Sequence, residues 1–369
     1  MGAPQQVQGY TGGPQRPCNG TMTRGCVAPY RVAPLEGLQS NVEKLMLKTF
    51  NDVDEVAIHL LHEFKRDGIF MNSRNGNVLR LPGVTGFTLN YPDNCWLRWG
   101  ARKHNPFLHF FEAMWNLAGR NDVETLKRFA PNMDRYAEGG VLRGAYGHRW
   151  TNHFVEDQLS HVVGTLREDP ESRRAVLTMT DPNIDWPWGN TKDIPCNLSV
   201  SFHVYHGKLH ATVFNRSNDL IWGMLGTNVV LFSVLLNFVS EHVGIPMGTL
   251  SQVSSNCHIY QKHFKLLWQP PTSRRLVRNN KLFDANVDDL DLALSEVCVT
   301  LDAIRENNPA GSQSSFKTTL GRFANEAWRI WDTWMLYGDS GRYLGQYEES
   351  MPIDLINSMR KFLEFDYAG

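Results

Sequence analysis

The feature that most constrains this chain is a pair of period-two runs placed after one cysteine. Asp193-Ile194-Pro195-Cys196-Asn197 ends a polar, Trp- and Pro-rich loop that starts at Asp181, and it opens the alternation Leu198, Val200, Phe202, Val204. Such alternation marks a strand with one buried face. His206-Gly207 predicts a tight turn into a second alternating run, Leu209, Ala211, Val213. A hairpin built this way returns Asn215-Arg216-Ser217-Asn218-Asp219 to the end that carries Cys196. A thiol is then set near a cation, a hydroxyl, two amides and a carboxylate. The thiolate is the reactive form of cysteine, and a nearby cation favours it. A lone cysteine is ordinarily a buried packing residue. These neighbours make Cys196 a candidate nucleophile.

Composition narrows the partners. The 369 residues carry a net charge of −1, with 42% hydrophobic and 20% charged residues, enough apolar content for a sizeable core. That charge gives no basic footprint, so direct nucleic-acid binding is not expected. The six cysteines are scattered, without the paired spacing of a zinc site, so no metal centre is expected. Reduced thiols point to the cytoplasm. Residues 1–20 lack the apolar centre of a signal peptide, and no apolar run reaches the roughly 18 residues of a membrane span.

Taken in order, residues 1–34 are Gly-, Gln- and Pro-rich and read as a loosely attached arm. Helical spacing predicts a first helix from about Gly37 to Lys65, followed by a polar loop holding Arg74-Asn75-Gly76. An aromatic-rich helix is expected over Phe107–Gly119 with Glu112 inside its apolar majority. Burial there would raise the carboxyl pKa toward an acid/base range, whereas a place on a solvent stripe would not. In Gly144-Ala145-Tyr146-Gly147 the glycines suggest close backbone approach, although a plain turn would read the same. A polar helix is expected from about Asn152 to Leu166, before Ser172-Arg173-Arg174 and a buried strand at 175–179. Thr227 or Asn228 is placed to cap a strongly apolar helix running to about Val243. His258 and Tyr260 fall on one face of a strand, and the remainder is helical with Trp328, Trp331 and Trp334.

Together these pieces resemble the thymidylate synthase superfamily, which includes the pyrimidine nucleotide hydroxymethylases. The resemblance runs from Arg74 to Phe264. It rests on Arg74-Asn75-Gly76, Glu112 with Trp115, Tyr146-Gly147, Asp169-Pro170-Glu171-Ser172-Arg173-Arg174, Pro195-Cys196, Arg216-Ser217-Asn218-Asp219 and His258-Ile259-Tyr260, in that order. It implies an α/β fold: a mixed, twisted sheet with helices packed on one face and a dimer interface on the other. Residues 35–284 would be the catalytic domain and 285–369 a helical extension. It implies that Cys196 adds to C6 of a pyrimidine nucleoside monophosphate, so that C5 attacks the one-carbon unit of 5,10-methylenetetrahydrofolate. Arg216, Ser217 and Arg74 would hold the 5′-phosphate, joined by Arg173 and Arg174 from the other subunit of a homodimer with shared active sites. His258 and Tyr260 would hold the sugar hydroxyl, Glu112 and Tyr146 would manage protons, and Asp219 would help seat folate and nucleotide.

Three departures bear on the product. Asn197 stands where the synthase motif has His after the cysteine. The chain finishes Leu363-Glu364-Phe365-Asp366-Tyr367-Ala368-Gly369, polar and acidic, where the synthase has a short apolar tail that closes over the folate. The Arg-Ser-Asn-Asp run at 216–219 is of the hydroxymethylase kind. Water rather than hydride is therefore expected at the C5 methylene, giving hydroxymethylation, with methylation as the alternative. The base-reading position falls on Thr227 by gapless counting from Arg216, and on Asn228 with one inserted residue. An Asn amide suits uracil and an Asp carboxylate suits cytosine. The expected substrate is dUMP, with dCMP or CMP open through Thr227. A catalytically inactive nucleotide-binding scaffold is the reading from another class, and the retained Cys196, Glu112 and Arg set argue against it.

Overall fold

The computed structural model describes residues 47–73, 75–186, 193–272, 279–308, 315–338 and 344–365. Arg74, the 1–34 arm and the final residues 366–369 lie outside them. From Leu47 onward the chain forms one compact unit.

The hairpin is formed as the alternation requires. Strands β6 (Asn197–Tyr205) and β7 (Lys208–Asn215) pair antiparallel, with His203 opposite His210 and Asn197 opposite Asn215. His206 and Gly207 both take positive φ, 48° and 69°, the geometry of a two-residue hairpin turn. Val200 and Phe202 face inward with Leu209, Ala211 and Val213. Around this pair, β1 (Thr49–Phe50), β4 (Thr85–Leu89), β9 (Met247–Ser254) and β5 (Val176–Thr178) complete a six-stranded sheet of order β1-β4-β9-β7-β6-β5. The pairings β1–β4 and β7–β9 are parallel and the others antiparallel, so the sheet is mixed.

A second sheet, beyond what the sequence announced, has the order β2-β3-β10-β8, from Ile69–Ser73, Gly76–Arg80, Cys257–Tyr260 and Asn218–Asp219. It joins the β2–β3 pair, the His258 strand and the segment after Arg216.

The helix α1 (Val53–Asp67) takes up the later part of the expected span from Gly37 to Lys65, whose residues 37–46 lie outside the described residues. Asp52 is its N-cap, accepting from the Glu55 amide at 2.8 Å, while the Glu55 carboxylate reaches back to the Asn51 amide at 2.8 Å. The aromatic helix α2 (Pro106–Leu117) lies where expected. The polar helix α3 spans Gln158–Glu168 rather than starting at Asn152, because Asp157 caps it and residues 149–153 form a wider turn. The apolar helix α4 (Asn228–Val243) lies against β7 and β9. The stretch Leu220–Val243 is long and apolar enough to cross a membrane, but 94% of its apolar 18-residue window is buried inside the protein.

The helices α5 (Leu290–Arg305), α6 (Thr319–Tyr337) and α7 (Ile353–Phe365) share the central core rather than forming one of their own. Trp331 meets Phe107 at 5.3 Å and Phe362 at 5.9 Å between ring centroids, and Phe129 at 5.1 Å. One polar hub adds to this packing: Arg98 pairs with Asp54 at 2.7 Å, Asp52 at 3.1 Å and Asp354 of α7 at 3.5 Å.

Candidate active site

The loop before β6 is shaped by Arg216. Its Nε donates to the Pro195 carbonyl at 2.9 Å, its Nη2 to the Ile194 carbonyl at 3.0 Å, and its backbone N–H to the Cys196 carbonyl at 3.0 Å. Three successive carbonyls are thus turned toward one residue, and the half-buried Cys196 is presented beside a guanidinium. Asp193 anchors the other side of the loop by accepting from the Gly144 amide at 2.8 Å. Burial raises the Asp193 pKa, and the Gly144 bond and the Arg149 charge oppose that rise.

Close backbone approach at the Tyr146 segment is borne out. A Cβ on Gly147 would stand 1.7 Å from the Asn116 carbonyl oxygen, so only glycine fits. The Gly147 amide donates to Asn116 Oδ1 at 2.8 Å, and Asn116 Nδ2 donates to the Glu112 carbonyl at 2.8 Å. One side chain therefore ties the Tyr146 turn to the helix bearing Glu112.

Glu112 lies in the buried alternative of the two the sequence allowed. Its Oε2 is covered and has no hydrogen-bond partner among the described residues, and desolvation pushes its pKa up to about 8. Tyr146 is pushed up chiefly by burial and then by the nearby Cys196, Asp193 and Glu112 charges, while the Asn197 backbone amide opposes this. Cys196, Glu112 and Tyr146 are thereby brought together from a strand end, a helix and a loop.

On the second sheet, His258 and Tyr260 share a face with ring centroids 5.0 Å apart. Tyr260 hydrogen-bonds Asn75 and feels the Asp219 and Cys196 charges, although burial is the larger influence and raises its pKa. The β2–β3 pair is thus directed at the same place through Asn75, and the expectation for Arg74 lies outside the described residues. Burial lowers the His258 pKa, against a raising influence of Asp219. Asp219 accepts from the Ile221 amide at 3.0 Å and caps the turn Leu220–Thr227. Ser217 is half-buried between Arg216 and β8.

Asn228 is not a helix cap, and neither is Thr227, which has helical φ and ψ and makes no capping bond. The segment Leu220–Thr227 is a π-type turn with a kink at Gly226. A π turn holds one residue more than an α turn, which leaves room for a one-residue insertion in counting from Arg216. It is Asn228 that reaches the site's buried amides. Its Nδ2 donates to Asn218 Oδ1 at 3.1 Å, and its Oδ1 accepts from Asn197 Nδ2 at 3.4 Å.

Two expected residues stand apart. Arg173 and Arg174 are exposed just before β5, which pairs antiparallel with β6 so that Val176 faces Ser201. Continuing that register puts Arg174 beside the far end of β6, roughly 20 Å from Cys196 at about 3.3 Å per residue. Neither can serve the Cys196 of its own chain.

One residue was not read from the sequence at all. Arg102 lies beside Gly226, where a Cβ would come 2.4 Å from its Nη2, and its Nη1 is buried without a partner among the described residues. Burial lowers its pKa to about 10, partly offset by Asp219. Gly100-Ala101-Arg102-Lys103 lacks any periodic signal, and only the folded chain sets it against Asp219.

Residues 101–293, just over half the chain, match the family model described as thymidylate synthase. The chain belongs to the thymidylate synthase family. It is similar to the deoxyuridylate hydroxymethyltransferase of Pseudomonas phage M6, 42% identical over 219 residues, which are 59% of this chain and 62% of that protein. The deoxyuridylate hydroxymethyltransferase of Bacillus phage SP01 is 39% identical over 171 residues, 43% of this chain and 45% of that one. The thymidylate synthase of Symbiobacterium thermophilum (strain DSM 24528 / JCM 14929 / IAM 14863 / T) is 31% identical over 211 residues, 49% and 71% of the two chains. This chain spans less than two thirds of the length of the phage relatives it matches.

Proposed function

We propose that this protein transfers the one-carbon unit of 5,10-methylenetetrahydrofolate to C5 of dUMP and completes the reaction with water, giving 5-hydroxymethyl-dUMP. The observation that carries the reading is the Asn228 carboxamide, which bonds the residue after Cys196 and offers both a donor and an acceptor to a uracil edge. The phage relatives named as deoxyuridylate hydroxymethyltransferases support the same substrate and the same outcome.

In this reading the Cys196 thiolate forms the bond to C6, and the electron pair moves to C5 and the C4 oxygen. Arg216 keeps its Nη1 for the 5′-phosphate, since Nε and Nη2 are spent on the loop. Ser217 and Arg74 join it. His258 and Tyr260 hold the sugar hydroxyl. With C5 bonded to the methylene carbon, Tyr146 would take the C5 proton as that carbon's bond to the folate nitrogen breaks and tetrahydrofolate leaves. Glu112, with a pKa near 8, passes protons at the C4 oxygen and at the water that adds to the C5 methylene. The proton lost by water leaves through Glu112, and re-formation of the C5–C6 double bond expels the Cys196 thiolate.

The residues fit a folate cosubstrate. Asp219 stands ready for ring N–H groups, and the buried Arg102 Nη1, without a partner among the described residues, is ready for an anionic or carbonyl group. When bound, the folate supplies the methylene at formaldehyde oxidation level. Asn197, neutral and buried, stands where a synthase has His, and favours admission of water over a dry hydride transfer.

The active unit is a homodimer in which the exposed face of the six-stranded sheet meets its counterpart. Val176, Tyr205 and Phe214 are exposed apolar residues on the strands of that sheet. A partner chain would bring Arg173 and Arg174 to the phosphate, which the same chain's pair cannot reach. The site of action is the cytoplasm.

The test is product mass. Protein incubated with methylenetetrahydrofolate and, separately, dUMP, dCMP and CMP is expected to add CH2O to dUMP with release of tetrahydrofolate. Addition of CH2 with formation of dihydrofolate would make it a synthase. Reaction of a cytidine nucleotide alone would overturn the base assignment, and absence of any product would favour a binding protein.

A further inference from the structure

We propose that Asn218 is a specificity-determining positioning residue: it fixes which way the Asn228 carboxamide points, and so makes the site select a 4-oxo over a 4-amino pyrimidine. The inference rests on the reading of Asn228 as the residue that faces the base. A carboxamide has two N–H donors and an oxygen with two lone pairs. On Asn228 one donor is spent on Asn218 Oδ1 and one lone pair on Asn197 Nδ2. One N–H and one lone pair remain. A uracil edge presents an acceptor at O4 and a donor at N3–H, which match that remaining pair. A cytosine edge presents a donor at the 4-amino group and an acceptor at N3, which require the amide reversed.

Reversal is what Asn218 opposes. Turning Asn228 alone would set its oxygen against Asn218 Oδ1 and its nitrogen against Asn197 Nδ2. Asn218 is itself held, with Nδ2 directed at Gln252 Oε1 at 3.5 Å and Ser254 Oγ at 3.4 Å. Its backbone N–H donates to the Asn256 carbonyl at 2.8 Å, within the pairing of β8 with β10. Asn197, Asn218, Asn228, Gln252 and Ser254 are all buried, so bulk water does not compete for their amides and a mismatched orientation keeps its full cost. The bond between Asn218 and Asn228 also needs open space. At Gly223 a Cβ would stand 2.6 Å from Asn218 Oδ1 and 3.0 Å from Asn228 Nδ2, so only glycine leaves the bond its path.

The experiment measures kcat/KM for dUMP and for dCMP with methylenetetrahydrofolate, products identified by mass, in wild type, Asn218→Leu, Gly223→Ala and Asn218→Asp. Asn218→Leu and Gly223→Ala are each expected to lower the dUMP-to-dCMP ratio by roughly tenfold or more. Asn218→Asp, whose carboxylate can only accept, is expected to keep or raise the ratio. That rescue is something a merely structural role would not give. If Asn218→Leu does not fold, Gly223→Ala and Asn218→Asp carry the comparison. An unchanged ratio in Gly223→Ala, or a lost ratio in Asn218→Asp, overturns the role of Asn218 and leaves the dUMP reading standing. A wild-type enzyme that prefers dCMP, or has no activity on either, overturns the dUMP reading and this inference with it.

Discussion

The Nε of Arg216 donates to the carbonyl of Pro195 at 2.9 Å, the residue immediately before the candidate nucleophile. A single guanidinium therefore shapes the cysteine loop, and in the proposed function the same group holds the phosphate. Arg216→Ala should weaken dUMP binding by roughly a hundredfold, from the loss of charge-assisted bonds. Deoxyuridine binding should fall much less. Calorimetric titration with both ligands checks this, and equal losses would place the phosphate elsewhere.

Cys196→Ala should abolish turnover while dUMP binding stays measurable. Arg173→Ala should also lose most of its activity, but through the neighbouring chain. Mixing the two inactive variants under subunit exchange should restore activity, because one of the two sites then holds Cys196 and a partner's Arg173. A mixture as inactive as its parents would remove Arg173 from the shared site.

Glu112 gives a prediction about pH. Its pKa lies near 8 in the folded protein, above the ordinary Glu value of about 4.3. The folded state then holds a proton that the unfolded state releases, so this residue's effect on stability turns unfavourable as pH rises from about 4.3 toward 8. Glu112→Gln removes that penalty. Its melting temperature should exceed that of wild type by a few degrees at pH 8 and match it at pH 5. Turnover should fall by at least roughly a hundredfold. A variant less stable than wild type at pH 8 would show that the carboxyl is not buried.

Arg98→Met should destabilise the protein by about 3 kcal/mol or more, since it leaves Asp52, Asp54 and Asp354 together without their common cation. Denaturant unfolding measures the loss. It should be larger at pH 8 than at low pH, because burial raises the Asp54 pKa and protonation of that carboxyl relieves the unpaired cluster.

What was legible in the sequence was whatever repeats at short range. The β6–β7 hairpin follows from period-two apolar residues around His206-Gly207, and α2 from aromatic residues at helical spacing. Helix starts were legible less well, because apolar spacing continues through residues that the Asp52 and Asp157 caps exclude. Counting could not choose between Thr227 and Asn228, since the π turn between Arg216 and these residues leaves no compositional trace. Arg102, Arg98 and the Asn218–Asn228 bond were illegible for another reason. The two Arg contacts join segments far apart in sequence, the Asn218–Asn228 bond spans ten residues across an irregular turn, and an isolated Arg or Asn reads as ordinary surface.

The contact of α7 with α2 has a consequence for biosynthesis. A ribosome delivers the N-terminal part of a chain first, so the helix bearing Glu112 emerges long before Phe362 can cover Phe107 and Trp331. A nascent chain paused before Ile353 would show Phe107, Trp331 and Trp334 as an uncovered aromatic stripe, the kind of surface that chaperones engage. The hazard of aggregation for this protein therefore lies in the interval before α7 is made, and falls once Phe362 has packed on Phe107 and Trp331.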